Sequence, residues 1–367
     1  MKIVVTGSNG FLGKNLCVRL REKELYEVFE ISRETSADKF SSVLAKADFV
    51  FHLAGVNRSK DVKEFKRGNI DLTKFIVEIL QTQSRHIPIA LASSTKTNQH
   101  NEYGKSKLAA EKIVENYTNI TGAPNYIYRL PNVFGKWSKP NYNSFIATFC
   151  YNIMNDKDIT IHDPNASVKL VYIDDVCNSF LKLLQEKNDS GLQKVFNEYS
   201  STVGEVASII SSFKSFRKNL IIEPVGVGLK RALYSTFLSY ASPEQFSYRI
   251  KNHTDERGIF CEMLKTRDSG QISFFTAHPG ITRGGHYHHT KTEKFLVIKG
   301  TAQFRFKNIN TGDISILKVT GSIPTIVDTV PGWAHDITNI GVDDLIVMLW
   351  ANEIFDPQKT DTIAALP

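Results

Sequence analysis

The sequence predicts an α/β doubly wound parallel sheet followed by an all-β barrel or jelly roll. Three observations carry that expectation. Strand and helix signals alternate through about residue 240, a glycine-rich turn follows the first strand directly, and from Ser242-Pro243 onward short strand-like runs take over.

The elements follow in order. Residues 2–6 read as a buried strand, and residues 9–23 have helical spacing at Phe11, Leu12, Leu16 and Leu20. Strands are expected at 27–32 and 48–53. A helix at 70–83 sets Phe75, Ile76, Ile79 and Leu80 on one side. A strand at 87–92, a helix at 103–117 and a strand at 126–130 extend the series. Such alternation makes βαβ units, and continuous apolar strands fit a sheet covered on both faces. Residues 199–243 read as helical, either completing this domain or joining it to the next. The runs 271–277, 294–299, 302–307, 313–319, 325–330 and 344–350, separated by Gly, Pro and Asn, read as antiparallel strands. Two domains result, 1–243 and 244–367.

Composition agrees. A chain of 367 residues spans two domains at roughly 150 each. With 41% hydrophobic and 23% charged residues there is apolar surface enough to offset chain entropy, which excludes a disordered protein. The net charge of +7 suits anionic substrates and is too diffuse for nucleic acid. No apolar run reaches the length of a membrane span. The opening strand has no signal-peptide pattern, and Cys17, Cys150, Cys177 and Cys261 are scattered. A cytoplasmic protein with reduced thiols is expected.

The first strand runs into Gly7-Ser8-Asn9-Gly10-Phe11-Leu12-Gly13. Glycines at this strand-to-helix junction let a pyrophosphate approach the backbone, and the helix N-terminus adds amide donors. The second strand ends at Glu30-Ile31-Ser32-Arg33; a hydroxyl and a guanidinium there accommodate a 2′-phosphate, so NADPH is expected. Tyr103 and Lys107 stand four apart on one helix face. Lys107 is expected to lower the Tyr103 phenol from its usual value of about 10 and to hold the cofactor ribose. Ser94, or Thr95 beside it, offers a hydroxyl at the end of the preceding strand.

These motifs, with Phe51-His52-Leu53-Ala54-Gly55, Asn69-Ile70-Asp71-Leu72-Thr73, Arg129-Leu130-Pro131-Asn132-Val133-Phe134-Gly135 and Val171-Tyr172-Ile173-Asp174-Asp175-Val176, resemble the extended short-chain dehydrogenases/reductases. The resemblance implies a Rossmann-like sheet and action on a nucleotide sugar, with Tyr103 as proton carrier, Lys107 as its partner and Ser94 beside the substrate oxygen. It sets Leu53, Ala54 and Gly55 against the cofactor and Pro131 to Val133 beside the nicotinamide. The stretch after Ser94, Lys96 to Glu102, departs from the family's usual loop and leaves the choice between Ser94 and Thr95 open.

The densest motif lies in the second domain. His286, His288 and Glu293 form H-x-H-x4-E between Gly280 and Gly300, and His335 follows Pro331-Gly332. Residues two apart on a strand share a face, and imidazoles with one carboxylate suit zinc or another divalent transition metal. Six of the ten histidines, His253, His278, His286, His288, His289 and His335, fall in this last third. His278 and His289 read as surface residues. The pattern resembles the cupins, which implies a jelly-roll barrel. Gly280-Ile281-Thr282-Arg283-Gly284-Gly285-His286 further resembles sugar C3-epimerases of that class, which implies a basic imidazole at His286.

A ketone at C4 of a hexose acidifies the C3 hydrogen, so inversion at C3 must precede reduction at C4. The fusion resembles bacterial capsular polysaccharide enzymes on the route to UDP-N-acetyl-L-fucosamine. That implies a UDP-2-acetamido-2,6-dideoxy-4-ketohexose substrate, a zinc-containing homodimer, and no membrane or nucleic-acid partner. The alternative is a C4-ketosugar reductase whose cupin is a metal-stabilised dimerisation or carbohydrate-binding module.

Overall fold

The computed structural model describes residues 1–186, 188–250, 252–255, 258–261, 263–266, 270–353, 358 and 360–367. The chain opens with β1 (Lys2–Thr6), α1 (Phe11–Arg21), β2 (Glu27–Ile31), α2 (Ala37–Leu44) and β3 (Phe49–His52). Next come α3 (Val62–Phe65), a π-helical stretch at Lys66–Asp71, α4 (Leu72–Gln81), β4 (Ile89–Ser94), α5 (Glu102–Thr121), β5 (Asn125–Leu130) and β6 (Asn132–Phe134). They are followed by α6 (Phe145–Met154), β7 (Ser167–Tyr172), α7 (Ile173–Gln185), β8 (Gly191–Gln193), β9 (Glu198–Thr202), α8 (Val203–Asn219), β10 (Ile221–Ile222) and α9 (Gly228–Leu238). From there strands dominate: β11 (Ser247–Arg249), β12 (Asn252–Asp255), β13 (Gly258–Cys261), β14 (Lys265–Thr266), β15 (Gln271–Ala277), β16 (Thr282–Tyr287), β17 (Glu293–Lys299) and β18 (Thr301–Asn308). The series ends with β19 (Ile314–Thr320), β20 (Thr325–Asp328), β21 (Trp333–Asn339), β22 (Leu345–Ala351) and β23 (Ile363–Ala364).

Contacts divide the chain into two compact units, Met1–Ser144 with Val168–Ser200, and Phe145–Ser167 with Ser201–Pro367. In the first, a parallel sheet runs β2-β1-β3-β4-β5-β8, as the alternating pattern predicts. Val4, Val50, Ile89, Leu91 and Ile127 bury one face against Ile76, Leu80, Val114 and Tyr117 of α4 and α5. On the other, Phe180 of α7 packs on Phe51 and Tyr128 with ring centroids 5.5 and 4.9 Å apart. The chain leaves β1 for β2 on one side and returns to β3 on the other. That reversal opens a crevice at the carboxyl ends of β1 and β3, where open α/β sheets bind ligands.

The second unit holds two five-stranded antiparallel sheets, β11-β20-β17-β22-β15 and β19-β18-β21-β16-β23. Phe295 of β17 meets Phe304 of β18 across them, centroids 5.7 Å apart, as in a two-sheet jelly roll. The short hairpin β12–β13 and the terminal strand β23 are elements the sequence reading did not expect.

The division differs from the boundary expected at residue 243, and packing is the reason. Phe213 and Phe216 of α8 meet Tyr234 and Phe237 of α9, with centroids 5.1–5.8 Å apart. Arg217 donates to the Gln245 carbonyl at 2.7 Å and to Asp328 at 3.1 Å, and Ser235 donates to the Thr290 carbonyl at 2.8 Å. Composition changes at Ser242-Pro243, but α6, α8 and α9 lie with the strands that follow. Phe213→Ala, which empties the centre of the aromatic cluster, should destabilise this unit by about 3–5 kcal/mol in denaturant unfolding.

Candidate active site and metal centre

Thr6, Ile31, His52, Ser94 and Leu130 end adjacent parallel strands, so the predicted cofactor and catalytic residues gather along one edge of the sheet. At Gly7, with φ +69, a Cβ would lie 2.7 Å from Ala54 Cα. A Cβ on Gly13 would lie 2.1 Å from the Gly7 carbonyl oxygen. The turn therefore excludes side chains, and Gly10 caps α1 with no side-chain bond and no acidic residue in the first turn. The first-turn amides are left without a side-chain partner, an arrangement that suits a pyrophosphate. Asn9 is exposed, and Phe11 and Leu12 are half-buried at the start of α1.

At the end of β2, Ser32 accepts from the Glu34 amide at 3.2 Å. Arg33 is exposed, while Glu30 turns to Arg21 at 3.4 Å. The carboxylate that would repel a 2′-phosphate is thus drawn aside. Leu53 and Ala54 after β3 and Pro131 and Val133 after β5 are half-buried, and Gly55 is exposed.

Lys107 is fully buried. Its ammonium donates to the Ala92 carbonyl at 2.8 Å, and a Cβ on Gly55 would lie 3.0 Å from it. Burial pushes it down to about 8, against the opposing charge of Glu111 one turn along α5. The structure corrects the expected influence on Tyr103. Burial raises that phenol above its ordinary value, and the group that pulls it back is the nearby Ser94 hydroxyl. Ser94 is buried and Thr95 is exposed, so the hydroxyl held against Tyr103 is that of Ser94.

Two supports were missed. Asn69, in the π-helical stretch, accepts from the Val56 amide at 2.8 Å and donates to the Val56 carbonyl at 2.9 Å and to the Ser106 hydroxyl at 2.8 Å. It ties the loop after β3 to the catalytic helix. Glu111 accepts from Ser93 and from Arg129 through two nitrogens, at 2.7 and 3.0 Å. The four-residue step from Lys107 to Glu111 was a signal available in the sequence.

A further chain fixes a tautomer. Thr73 donates to the Asn69 carbonyl, so it can only accept from His52 Nε2, at 2.9 Å; His52 Nδ1 then accepts from Thr6, at 2.8 Å. Thr6 in turn accepts from the Ala54 amide at 3.2 Å. Burial, with the nearby Lys107 charge, drives His52 down to about 3 and keeps the ring neutral.

In the barrel, the four predicted ligands do come together. One ligand atom each from His286, His288, Glu293 and His335 lies within 4.8 Å of all the others. A bulge at Gly284 and Gly285, at φ +100 and +77, shifts the register beside His335 and aims His286. His288 Nδ1 donates to the Asp361 carbonyl at 2.5 Å, which leaves Nε2 as a bare lone pair 3.4 Å from Glu293 Oε2. His335 Nε2 stands 3.6 Å from the same oxygen and is buried with no hydrogen-bond partner. Acceptors facing one another across such a gap fit a cation, and neutral imidazoles with a carboxylate fit zinc. Burial lowers His335, and burial with its neighbours His335 and His288 lowers His286 to about 4. Burial would raise the Glu293 carboxyl, yet its surroundings, the Lys291 ammonium among them, hold it well below the usual range. Lys291, not foreseen, pairs with Glu293 Oε1 at 2.8 Å. His289 is buried, contrary to its expected surface position, while His278 is exposed and pairs with Asp344 at 2.7 Å. The side chain of His253 lies outside the described residues.

Residues 3–197 match the NAD dependent epimerase/dehydratase family, and residues 253–363 match the polysaccharide biosynthesis C-terminal domain. The chain belongs to the NAD dependent epimerase/dehydratase family. It is 52% identical to a Pseudomonas aeruginosa UDP-2-acetamido-2,6-beta-L-arabino-hexul-4-ose reductase over 99% of this chain and 98% of the relative. It is similar over 100% of both chains to the capsular polysaccharide assembling protein CapF of Staphylococcus aureus, at 40% identity and TM-score 0.69. A Bacillus cereus UDP-glucuronic acid 4-epimerase solved with NAD shares the fold at 20% identity and TM-score 0.53, over 59% of this chain and 84% of its own. Among the described residues no helix is long and apolar enough to cross a membrane.

Gly13→Ala should weaken NAD(P)H binding at least tenfold in a fluorescence titration, since no Cβ fits against the Gly7 carbonyl. Between pH about 6.5 and about 3 the unfolded chain takes up a proton at His52 that the folded chain refuses. Stability from this group is therefore present above pH 6.5 and lost on acidification, by about 1.4 kcal/mol per pH unit. In His52→Gln the slope of unfolding free energy against pH should fall by about one proton over that window.

Proposed function

We propose that the chain acts in the cytoplasm, as a homodimer, on a UDP-2-acetamido-2,6-dideoxy-4-ketohexose in capsular polysaccharide biosynthesis. It inverts C3 within residues 244–367 and reduces the C4 ketone within residues 1–243. The reading rests above all on the Ser94–Tyr103–Lys107 group, set beside a glycine turn in a chain so similar to a 4-ketosugar reductase. Bound NADPH supplies the hydride that C4 accepts. Arg33, with the Ser32 hydroxyl, is assigned to the 2′-phosphate, and the amides of Phe11 to Gly13 to the pyrophosphate.

In the reduction, Ser94 and Tyr103 hold the C4 oxygen, and Tyr103 gives it the phenolic proton as the carbonyl becomes an alcohol. The raised Tyr103 value keeps that proton in place until the oxygen needs it. Lys107, buried and cationic at neutral pH, opposes the negative charge left on the phenol and holds the ribose.

In the barrel, His286, His288, Glu293 and His335 would hold zinc or a similar divalent ion, whose Lewis acidity would stabilise the enolate formed on loss of the C3 proton. His286, the most exposed of the four, is assigned as the base. One nitrogen cannot hold a metal and a proton together, so His288, Glu293 and His335 remain as donors while it works. The alternative of a reductase with a scaffolding cupin is favoured by one observation: the Pseudomonas aeruginosa relative is named for reduction alone.

The test is incubation with NADPH and candidate UDP-4-ketosugars in deuterated water, with C3 and C4 read by NMR. Solvent deuterium at C3 and cofactor-derived hydrogen at C4 are expected. Turnover without deuterium at C3 leaves the reductase alone, and no turnover with any 4-ketosugar overturns the proposal. Tyr103→Phe should lower turnover at least about 100-fold while NADPH still binds.

A further inference from the structure

Asp361 stands 70 residues beyond Lys291 in the chain, yet its carboxylate receives the loop between two of the ligands. Oδ1 accepts from the His289 amide at 3.0 Å. Oδ2 accepts from the Thr290 amide at 2.7 Å, the Thr290 hydroxyl at 2.8 Å and the Lys291 amide at 2.8 Å. Its backbone carbonyl takes the His288 Nδ1 proton. Just beyond, β23 pairs with β16, setting Ala364 opposite His286 and Ile363 opposite Tyr287, and the Ala365 amide donates to the Gly285 carbonyl at 2.9 Å.

We infer that Asp361 is the positioning residue of the metal centre, a carboxylate clasp by which the C-terminal segment orients His288 and Lys291. The inference rests on the metal reading above. Three successive amides converging on one carboxylate fix the backbone from His289 to Lys291. That backbone sends the Lys291 ammonium to Glu293 Oε1 and leaves Oε2 directed at His288 and His335. The carbonyl bond decides which His288 nitrogen is bare. Without the clasp, the carboxylate loses its fixed orientation and the imidazole its fixed tautomer. Both are what a tetrahedral site requires, and neither is needed for the barrel to close.

The experiment titrates Co2+ into the full-length parent and Asp361→Asn, following the visible absorption of the bound ion. Asparagine keeps the shape and the main-chain carbonyl, but it loses the charge and sets an NH2 group against amide donors. The expected result is a 10–100-fold weaker affinity and an altered absorption band, with NADPH binding unchanged. Asp361→Glu should recover part of the affinity. Parent-like affinity and spectrum in Asp361→Asn overturn the inference alone. A parent that binds no Co2+ overturns the metal reading and this inference with it. If Asp361→Asn unfolds, Thr290→Val, which removes one bond to the clasp, carries the same comparison: a weaker site supports the inference and an unchanged one overturns it.

Discussion

A buried ammonium organises the reductase half. Taking Lys107 out of water costs several kcal/mol unless its charge is answered, and burial pushes the ammonium down to about 8. Its neighbourhood supplies partial answers only: the Ala92 carbonyl, the Glu111 carboxylate one turn away, and the open face at Gly55. Glu111 would itself be an uncompensated buried charge without Ser93 and Arg129. One functional cation thus commits β4, β5 and α5 to a fixed arrangement. Gly55 must stay bare because a side chain there would press on the ammonium.

The barrel solves the inverse problem. Its site gathers imidazoles kept neutral and a carboxylate kept ionised, a donor set with negative charge to share. Lys291 takes one oxygen of Glu293 and so stops the carboxylate from rotating. The two halves show two uses of burial. Around Lys107 it moderates a charge; around His335 it removes one and leaves a lone pair available.

The parts legible in the sequence are those whose spacing is set by local geometry. The glycine turn, the Tyr103–Lys107 step and the His286–His288 step all follow local spacing, and the structure gathers the histidines with Glu293. What escaped depends on long-range packing. Helices α8 and α9 were read only as helical, because nothing local says against which strands Phe213 and Tyr234 will pack. Asp361 gives no local signal, since its partners lie some 70 positions earlier. The Lys107–Tyr103 influence was misjudged because proximity along a helix does not show where an ammonium points. It turned to Ala92, and burial set the phenol instead.

The order of the two proposed steps follows from electron demand alone. Removing a C3 proton requires the adjacent C4 carbonyl to accept the electron pair, and reduction abolishes that acceptor. A reductase faster than the barrel would therefore trap sugar with the original C3 configuration and could not correct it. Selectivity for the inverted ketosugar must then lie in the reductase pocket. In the proposed reduction Tyr103 and Ser94 meet only the C4 oxygen, so neither distinguishes the two C3 epimers, and the discrimination falls to groups that meet the sugar elsewhere.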